Sequence, residues 1–342
     1  MKKNLLTALL TIAFVACKKE PAAITPAGAQ DPPLQTGTLA AGDKYMFLTE
    51  QSQDRYGFVN VTQNVWWWTW KAGVNNNIPA GSVAWFDGPN EIKPVFNQQY
   101  VLIGGQGGGV AIVRISDKQA VFYAHVASGN IHSLEILPDG NLVAASIGPH
   151  TSPNDDDYLI VFKVGSANYP NNVYTSKVLF PGVHNVVWDR TRQCLWAAGT
   201  TDLKKFSYSF NCTSPSISQT LSVPLPVQPG NAHELFPVYG KDSLFLSTGG
   251  KLWYVDPKLI PASPFIYIKD MAGVKSISSG PSGYANCVQK CISDSEYWND
   301  QISDMGNLSP IYQETGTKIY KGRWKVDNLF SYPAVHNYTV CN

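Results

Sequence analysis

The residues best suited to chemistry in this sequence are histidines and lysines that recur at one position of a repeated pattern. An imidazole can exchange a proton near neutral pH and can bind a transition metal, and a lysine amine attracts anions. Four of the six histidines in the chain occupy the recurring position. The recurring basic residues are Lys93, His132, His184, His233, Lys275 and His336. Their spacing indicates that one repeated structural element presents all six.

Each basic residue begins a similar local pattern. It follows a small or apolar residue and precedes a short apolar strand, a turn and a second apolar strand that mostly ends in a small residue, as in 131–146 and 183–199. Further apolar segments, such as 110–115 and 120–123, supply a third and a fourth strand. The pattern recurs about every 40 to 50 residues, which is typical of a four-stranded propeller blade.

The two ends of the sequence predict how the propeller closes. Segments 45–49, 56–61 and 65–70 have the pattern of the second, third and fourth strands of a blade that lacks its first strand. Segment 335–340 resembles the first strand of the other copies, and no second strand follows it. We therefore predict an all-β, six-bladed β-propeller over residues 44–342, closed by the C-terminal strand pairing with the N-terminal strands.

The last blade is the least regular part of the pattern. Its polar stretch 293–316 predicts a long loop or a small insertion, and segment 318–325 predicts an outer strand after it. Cys287 and Cys291 are close enough in sequence to suggest a local disulfide, which an exported protein could form.

The first strand of each propeller blade lines the central channel, so the six basic residues are predicted to form a ring at one level of it. Six such groups at one mouth repel one another unless neutral imidazole or an anion relieves the charge. The ring therefore favours an anionic ligand, such as a uronic acid, a sulfated sugar or a phosphate. In the alternative, structural interpretation, the side chains only satisfy strand-end carbonyls or channel water.

The sequence is compatible with other functions, and it does not decide whether the protein is an enzyme. His132, His184 and His233 on neighbouring blades could hold a divalent transition metal with an open coordination position, although no short-range ligand motif accompanies them. A polysaccharide lyase or hydrolase could use the channel histidines to move protons, with or without that metal. A third hypothesis is a protein-interaction scaffold in an outer-membrane complex.

The N-terminus predicts export and a lipid anchor. Two lysines precede a short apolar run, 5–15, which is too short to span a bilayer. We interpret 1–16 as a lipoprotein signal peptide and 17–43 as a lipidated Cys17 followed by a flexible tether poor in large apolar residues. The net charge of +1 gives no reason to expect a nucleic-acid partner.

Segment 14–17, the His and Lys strand starts and segment 319–324 together resemble an uncharacterised group of bacterial six-bladed propeller lipoproteins, many from polysaccharide-degrading Bacteroidetes. The resemblance implies an exported outer-membrane lipoprotein that faces either the periplasm or the cell surface. It implies no particular activity.

Overall fold

The strands of this computed structural model follow one another along the chain in groups of four. The structure describes residues 42–127, 129–149, 156–165 and 174–340. These residues form six four-stranded antiparallel sheets arranged in a ring. The predicted six-bladed β-propeller is therefore confirmed.

Each blade runs from an innermost strand at the channel to an outermost strand at the rim. In this order, blade one contains β24 (Ile319–Trp324), β1 (Tyr45–Glu50), β2 (Arg55–Asn60) and β3 (Val65–Trp70). Blade two contains β4 (Pro89–Val95), β5 (Tyr100–Gly105), β6 (Gly109–Arg114) and β7 (Ala120–His125). Blade three contains β8 (Asn130–Ile136), β9 (Leu142–Ile147), β10 (Tyr158–Phe162) and β11 (Tyr174–Leu179).

The remaining blades follow the same order. Blade four contains β12 (Val187–Asp189), β13 (Cys194–Ala198), β14 (Asp202–Tyr208) and β15 (Ile217–Pro224). Blade five contains β16 (Glu234–Pro237), β17 (Leu244–Ser247), β18 (Lys251–Val255) and β19 (Phe265–Asp270). Blade six contains β20 (Val274–Ser278), β21 (Cys287–Lys290), β22 (Gln301–Asp304) and β23 (Pro310–Gln313). Short 3₁₀ helices occur at Val74–Asn76, Ala80–Phe86 and Pro257–Leu259.

Blade one is closed by a strand from near the C-terminus, as predicted. The closing strand is β24, which pairs antiparallel with β1 and sets Trp324 opposite Met46. Two details of the prediction were wrong, because segment 335–340 forms no strand and Ile319–Trp324 is an innermost strand, not an outer one. The cause lies in blade six, where β22 and β23 form within the polar stretch that was predicted to be a long loop or a small insertion.

Apolar side chains pack between neighbouring blades, so most inner and middle strands are buried on both faces. Between blades two and three, for example, the buried rings of Phe122 and Phe162 lie 6.4 Å apart, in one cluster with Leu134. Between blades one and two, Trp70 meets Phe86 edge to face at 5.5 Å. Burial of each such side chain contributes about 1.5–3 kcal/mol, and the ring as a whole holds the innermost strands at fixed positions.

The residues after β24 cross the face at which the innermost strands end. The amide N of Arg190, which follows β12, donates to the carbonyl O of Phe330 (3.4 Å), and Tyr338 stacks on Tyr100 with centroids 4.9 Å apart. Gly140 has a φ of +85°, and a Cβ there would lie 1.8 Å from the Thr339 carbonyl oxygen. The C-terminal segment is thus packed against the end of the channel opposite to that at which the innermost strands begin.

The predicted local disulfide is not formed, because Cys287 and Cys291 are both buried free thiols. Cys287 begins β21 and Cys291 follows it, so an extended backbone separates them by about 13 Å at 3.3 Å per residue. A disulfide requires Cα atoms within about 7 Å.

The predicted signal peptide and Cys17 lie outside the described residues. Asp43, the last residue of the predicted tether, accepts a hydrogen bond of 2.6 Å from Asn60 Nδ2 and so contacts the propeller. Among the described residues, no helix has the length and apolar character needed to cross a membrane.

Candidate ligand site at the channel mouth

A β-bulge recurs near the start of the innermost strands. In four blades the pairing between the first and second strands skips one residue. A residue skipped in this way leaves the ladder, and its side chain is redirected. The skipped residues are Asn90, His132, Lys275 and Tyr320.

The other two blades place histidines at the same level, shortly before short innermost strands. His184 precedes β12, and His233 immediately precedes β16, where its amide N donates to the carbonyl O of Ser247 (3.1 Å). All six positions line one cavity of about 190 Å³. We call Asn90, His132, His184, His233, Lys275 and Tyr320 the mouth ring.

Loops above the mouth ring add neutral polar groups. Gln106 comes from the glycine-rich turn between β5 and β6, and Tyr297 comes from the loop before β22. Gln106 Nε2 donates to Tyr297 Oη (3.2 Å), and Asn90 Nδ2 donates to Asn130 Oδ1 (2.6 Å). One side of the cavity is therefore a set of amides and a phenol that can donate or accept hydrogen bonds.

The three histidines stand side by side in the mouth ring. The ring centroid of His184 lies 4.3 Å from that of His132 and 4.8 Å from that of His233. His184 Nδ1 lies 2.8 Å from the carbonyl oxygen of Gly182, which fixes its proton on Nδ1. His132 Nδ1 lies 3.0 Å from Tyr320 Oη, and His233 Nε2 lies 3.1 Å from Lys275 Nζ. Two hydrogen-bonded acid–base pairs thus flank His184.

Burial makes the uncharged forms of these groups more stable. It lowers the pKa of His132 and of His233 well below their usual value, and the nearby basic residues His184, Lys321 and Lys275 lower both further. Burial also lowers the pKa of Lys275, which the carboxyl group of Asp294 partly opposes. Two of the histidines are therefore neutral near pH 7. The six basic residues predicted from the sequence thus do not all carry a positive charge.

A charge-balanced layer lies directly beneath the mouth ring. Arg323 bonds to the carboxylates of Glu91 and Glu234, with Nη2 to Glu234 Oε1 at 3.0 Å. Lys321 Nζ lies 3.4 Å from Glu91 Oε2 and donates to the carbonyl oxygen of His132 (2.7 Å). All four charged groups are almost fully buried. Although burial alone would raise it, Arg323 and the nearby lysines lower the pKa of Glu91 to about 2, so the layer consists of two cations and two anions.

A second buried pair closes the channel further down. Lys93 Nζ lies 3.4 Å from Glu135 Oε2 and donates to the carbonyl oxygen of Val186 (3.1 Å). The hydroxyl group of Tyr332, from the C-terminal segment, donates to the other Glu135 oxygen. The mouth cavity is therefore open at one face and has a polar, internally paired floor.

The structure brings together four of the six ring residues predicted from the sequence: His132, His184, His233 and Lys275. Lys93 lies deeper in the channel, and Asn90, three residues earlier, occupies its expected place because the bulge of β4 falls there. His336 lies on the opposite face between Phe96 and Tyr332. Tyr320 supplies the sixth position, because the closing strand is β24.

The predicted tri-histidine metal site does not fit the observed geometry. A zinc-type site needs imidazole nitrogens that converge on one point at about 2.0–2.1 Å. Among the described residues, no group of three or more His, Cys, Asp or Glu side chains could hold a metal ion.

Fold and site together define a class of protein, a six-bladed β-propeller with a small polar cavity at one mouth of its channel. The chain belongs to a family of unknown function, DUF6528, whose model matches residues 1–342. The predicted membership of an uncharacterised family is thereby confirmed, and the lipoprotein detail remains a prediction. No curated protein is significantly similar to the chain.

Several solved structures share the fold at low sequence identity. A protein of unknown function from Bacteroides caccae aligns over 82% of this chain and 98% of its own, with a TM-score of 0.53 and 10% identity. A protein from Lactobacillus plantarum aligns over 83% of this chain and 100% of its own, with a TM-score of 0.51 and 13% identity. A functionally unknown protein from Desulfotomaculum acetoxidans aligns over 81% of this chain and 79% of its own, with a TM-score of 0.50 and 10% identity. These similarities concern the fold alone.

Proposed function

We propose that this propeller binds a small anionic ligand, or the acidic group of a saccharide, in the channel-mouth cavity. The observation that carries the proposal is the lining of the cavity. Among the described residues that line it are a lysine, three histidines, three amides and two tyrosines, and no carboxylate. A ligand entering this cavity meets hydrogen-bond donors and one amine, which is the lining that an anion requires.

The layer beneath the cavity supports this interpretation. Glu91 and Glu234 are already paired with Lys321 and Arg323, so these carboxylates do not strongly repel an anionic ligand above them. Within the described part of the chain, the hydrogen-bond partner of the Lys275 amine is an imidazole, and burial disfavours its charged form. An anion beside Lys275 would supply a countercharge. A cavity of about 190 Å³ suits a carboxylate, a sulfate, a phosphate or the acidic end of a sugar.

Substitution of the lysine tests the proposal directly. Sulfate, phosphate and glucuronate are titrated into the protein by calorimetry, and at least one is expected to bind saturably. Lys275→Met should weaken that binding by about tenfold or more, because a hydrogen bond to a charged group contributes about 1.5–3 kcal/mol. Lys251→Met is the matched control, because Lys251 is an exposed lysine on β18 paired with Asp270. No binding of any of the three anions, or equal weakening in both variants, would refute the proposal.

Binding should also depend on pH with a definite sign. The depressed pKa values of His132 and His233 mean that the unfolded chain takes up more protons as pH falls below about 6.5, so the free protein should lose stability there. A bound anion favours imidazolium and offsets this loss. The thermal shift produced by sulfate should therefore be larger at about pH 5.5 than at about pH 7.5. His132→Gln/His233→Gln should abolish the difference, and a shift independent of pH in the wild type would contradict this assignment.

A second candidate function uses the same groups as catalysts. The His132–Tyr320 and His233–Lys275 pairs, at 3.0 and 3.1 Å, are two hydrogen-bonded acid–base pairs in one cavity. Such pairs could remove a proton next to a uronate carboxylate and protonate the leaving oxygen, as a polysaccharide lyase requires. An unsaturated product appearing during titration with uronate oligomers would identify the cavity as an active site.

We also propose that the protein is exported and held at the outer membrane by a lipid on Cys17. The support is the sequence of residues 1–17, with its basic start, short apolar run and Ala-Cys junction. A channel-mouth cavity on such a protein would meet ligands outside the cytoplasm.

A further inference from the structure

The chain enters the propeller on the face opposite the mouth ring, which we call the basal face. β1 begins there, because its Met46 pairs with Trp324 at the end of β24. The amide N of Lys325, the next residue, donates to the carbonyl oxygen of Tyr45 (2.9 Å). Asp43, directly before Lys44 and β1, is the last residue of the predicted tether. The tether therefore reaches the propeller at the basal face.

Three large apolar side chains are exposed on the basal face. Val335 and Leu329, in the C-terminal segment that crosses this face, are 74% and 39% exposed. Phe210, in the turn between β14 and β15, is 48% exposed, and its ring lies 6.0 Å from that of Trp188 near the end of β12. We call Phe210, Leu329 and Val335 the basal patch. Exposed apolar side chains gathered on one face are typical of a contact surface.

Two exposed cations accompany the basal patch. Arg190 and Lys241 line one open cavity of about 230 Å³ together with Leu329. Neither cation has an ion-pair partner among the described residues. The carboxylate in this cavity, Asp242, is paired with two other cations, at 2.9 and 3.2 Å. Asp327, in the same segment as Leu329, accepts a hydrogen bond from a glutamine amide (2.7 Å). The face thus combines apolar side chains with two cations that can meet an anion.

We propose that the basal face lies on the surface of an anionic lipid bilayer, a contact that rests on the lipid anchor at Cys17 proposed above. Apolar side chains accompanied by cations are the composition that binds the headgroup region of such a bilayer. The basal patch enters that region, and Arg190 and Lys241 lie near headgroup phosphates. The mouth ring faces away from the bilayer, where its cavity is open to ligands.

The tether supports this orientation. It runs from Cys17 to Asp43, 26 residues further along the chain. A flexible chain of that length has a root-mean-square reach of about 28 Å. The mouth lies beyond the basal face by the length of the innermost strands, about 20 Å. Contact of the mouth with the bilayer would thus require the tether to pass around the rim of the propeller, whereas contact of the basal face does not.

Quenching of tryptophan fluorescence by brominated lipids tests the orientation. Val335→Trp and Ile292→Trp are prepared as lipidated proteins in vesicles of phosphatidylethanolamine and phosphatidylglycerol, with or without bromine on the acyl chains. Ile292 is the matched control, because it is 56% exposed and lies in the loop that brings Tyr297 to the mouth cavity. Bromine should quench the tryptophan at 335 at least about threefold more strongly than that at 292, because only the former reaches the acyl boundary.

Further variants test the contact itself. In the Val335→Trp protein, Leu329→Ser should reduce the quenching by brominated lipids. Arg190→Gln/Lys241→Gln should reduce it in vesicles that contain phosphatidylglycerol and leave it unchanged in phosphatidylcholine vesicles. Each cation near an anionic surface contributes about a fivefold factor to binding. The melting temperature of these variants should stay that of the wild type, because the replaced side chains are exposed.

Different results separate this inference from the proposals on which it builds. Equal quenching at 292 and 335, or none at either, would overturn the orientation even when mass spectrometry shows an acyl group on Cys17. Absence of that acyl group would refute the anchor and the orientation together. Sulfate should bind the mouth equally well in vesicles and in detergent, and weaker binding in vesicles would contradict the orientation. If sulfate binds in neither, only the anion site is refuted, because the quenching result does not depend on it.

Discussion

Replacing Arg323 with methionine is expected to lower the free energy of unfolding by about 3–5 kcal/mol. The guanidinium group is about 1% exposed and bonds to the carboxylates of both Glu91 and Glu234. Its removal leaves two buried anions with only Lys321 to compensate them. Urea unfolding followed by circular dichroism measures the loss.

A double variant separates the missing charge from the missing side chain. Arg323→Met/Glu234→Gln leaves one anion, Glu91, paired with one cation, Lys321, so it should be more stable than Arg323→Met alone. Arg114→Met serves as the control, because the exposed Arg114–Asp117 pair should contribute less than about 1 kcal/mol. If Arg323→Met costs no more than Arg114→Met, the buried layer is not a significant source of stability.

Replacing Ile319–Trp324 with a Gly-Ser linker of equal length should abolish cooperative unfolding. These residues form β24, whose pairing with β1 joins the two ends of the ring, and without it the inner edge of β1 is left unpaired. The same replacement of residues 335–340 should leave a cooperative transition at a lower midpoint, because that segment forms no strand and contributes packing such as Tyr338 on Tyr100.

Thermal unfolding followed by circular dichroism distinguishes the two linkers. The assignment of β24 as the closing strand is wrong if the 335–340 linker abolishes the transition and the 319–324 linker preserves it. That outcome would favour closure by segment 335–340, which resembles the other strand starts in sequence.

The blades were predictable because their strands are apolar runs separated by clear turns. The prediction was incomplete in blade six, where Gln301–Asp304 and Pro310–Gln313 are short and polar and lack that pattern. These strands form because β21 offers them a partner, which is a tertiary effect. Because these two strands were not predicted, the closing strand was assigned to segment 335–340 instead of Ile319–Trp324. His336 was therefore assigned to the ring.

The mouth ring was predictable where the residue type marked the position. His132, His184, His233 and Lys275 stand at equivalent points of successive blades. Lys93 was predicted to belong to the same ring. The sequence does not show whether a basic residue near the start of a strand lies in the β-bulge or is paired in the ladder. Asn90 and Tyr320 are not basic residues, so their types did not indicate that they belong to the ring. The pairing register of the strands shows that they occupy bulges.

The buried layer beneath the ring had no sequence signal at all. Glu91, Glu234 and Arg323 are far apart in the chain, so no local stretch of the sequence shows that they pair with one another. Charged residues in such strands are expected to be paired, but the partner is set by the ring geometry.

The recurring bulge gives the mouth ring a modular character. A side chain excluded from the ladder can change its chemical type without altering strand pairing, and this chain already carries an amide, an imidazole, an amine and a phenol at bulged positions. Selectivity can therefore diverge among related propellers through substitutions at the four bulged positions, without a change in the scaffold. Relatives should sort into ligand groups by the residues that correspond to Asn90, His132, His184, His233, Lys275 and Tyr320.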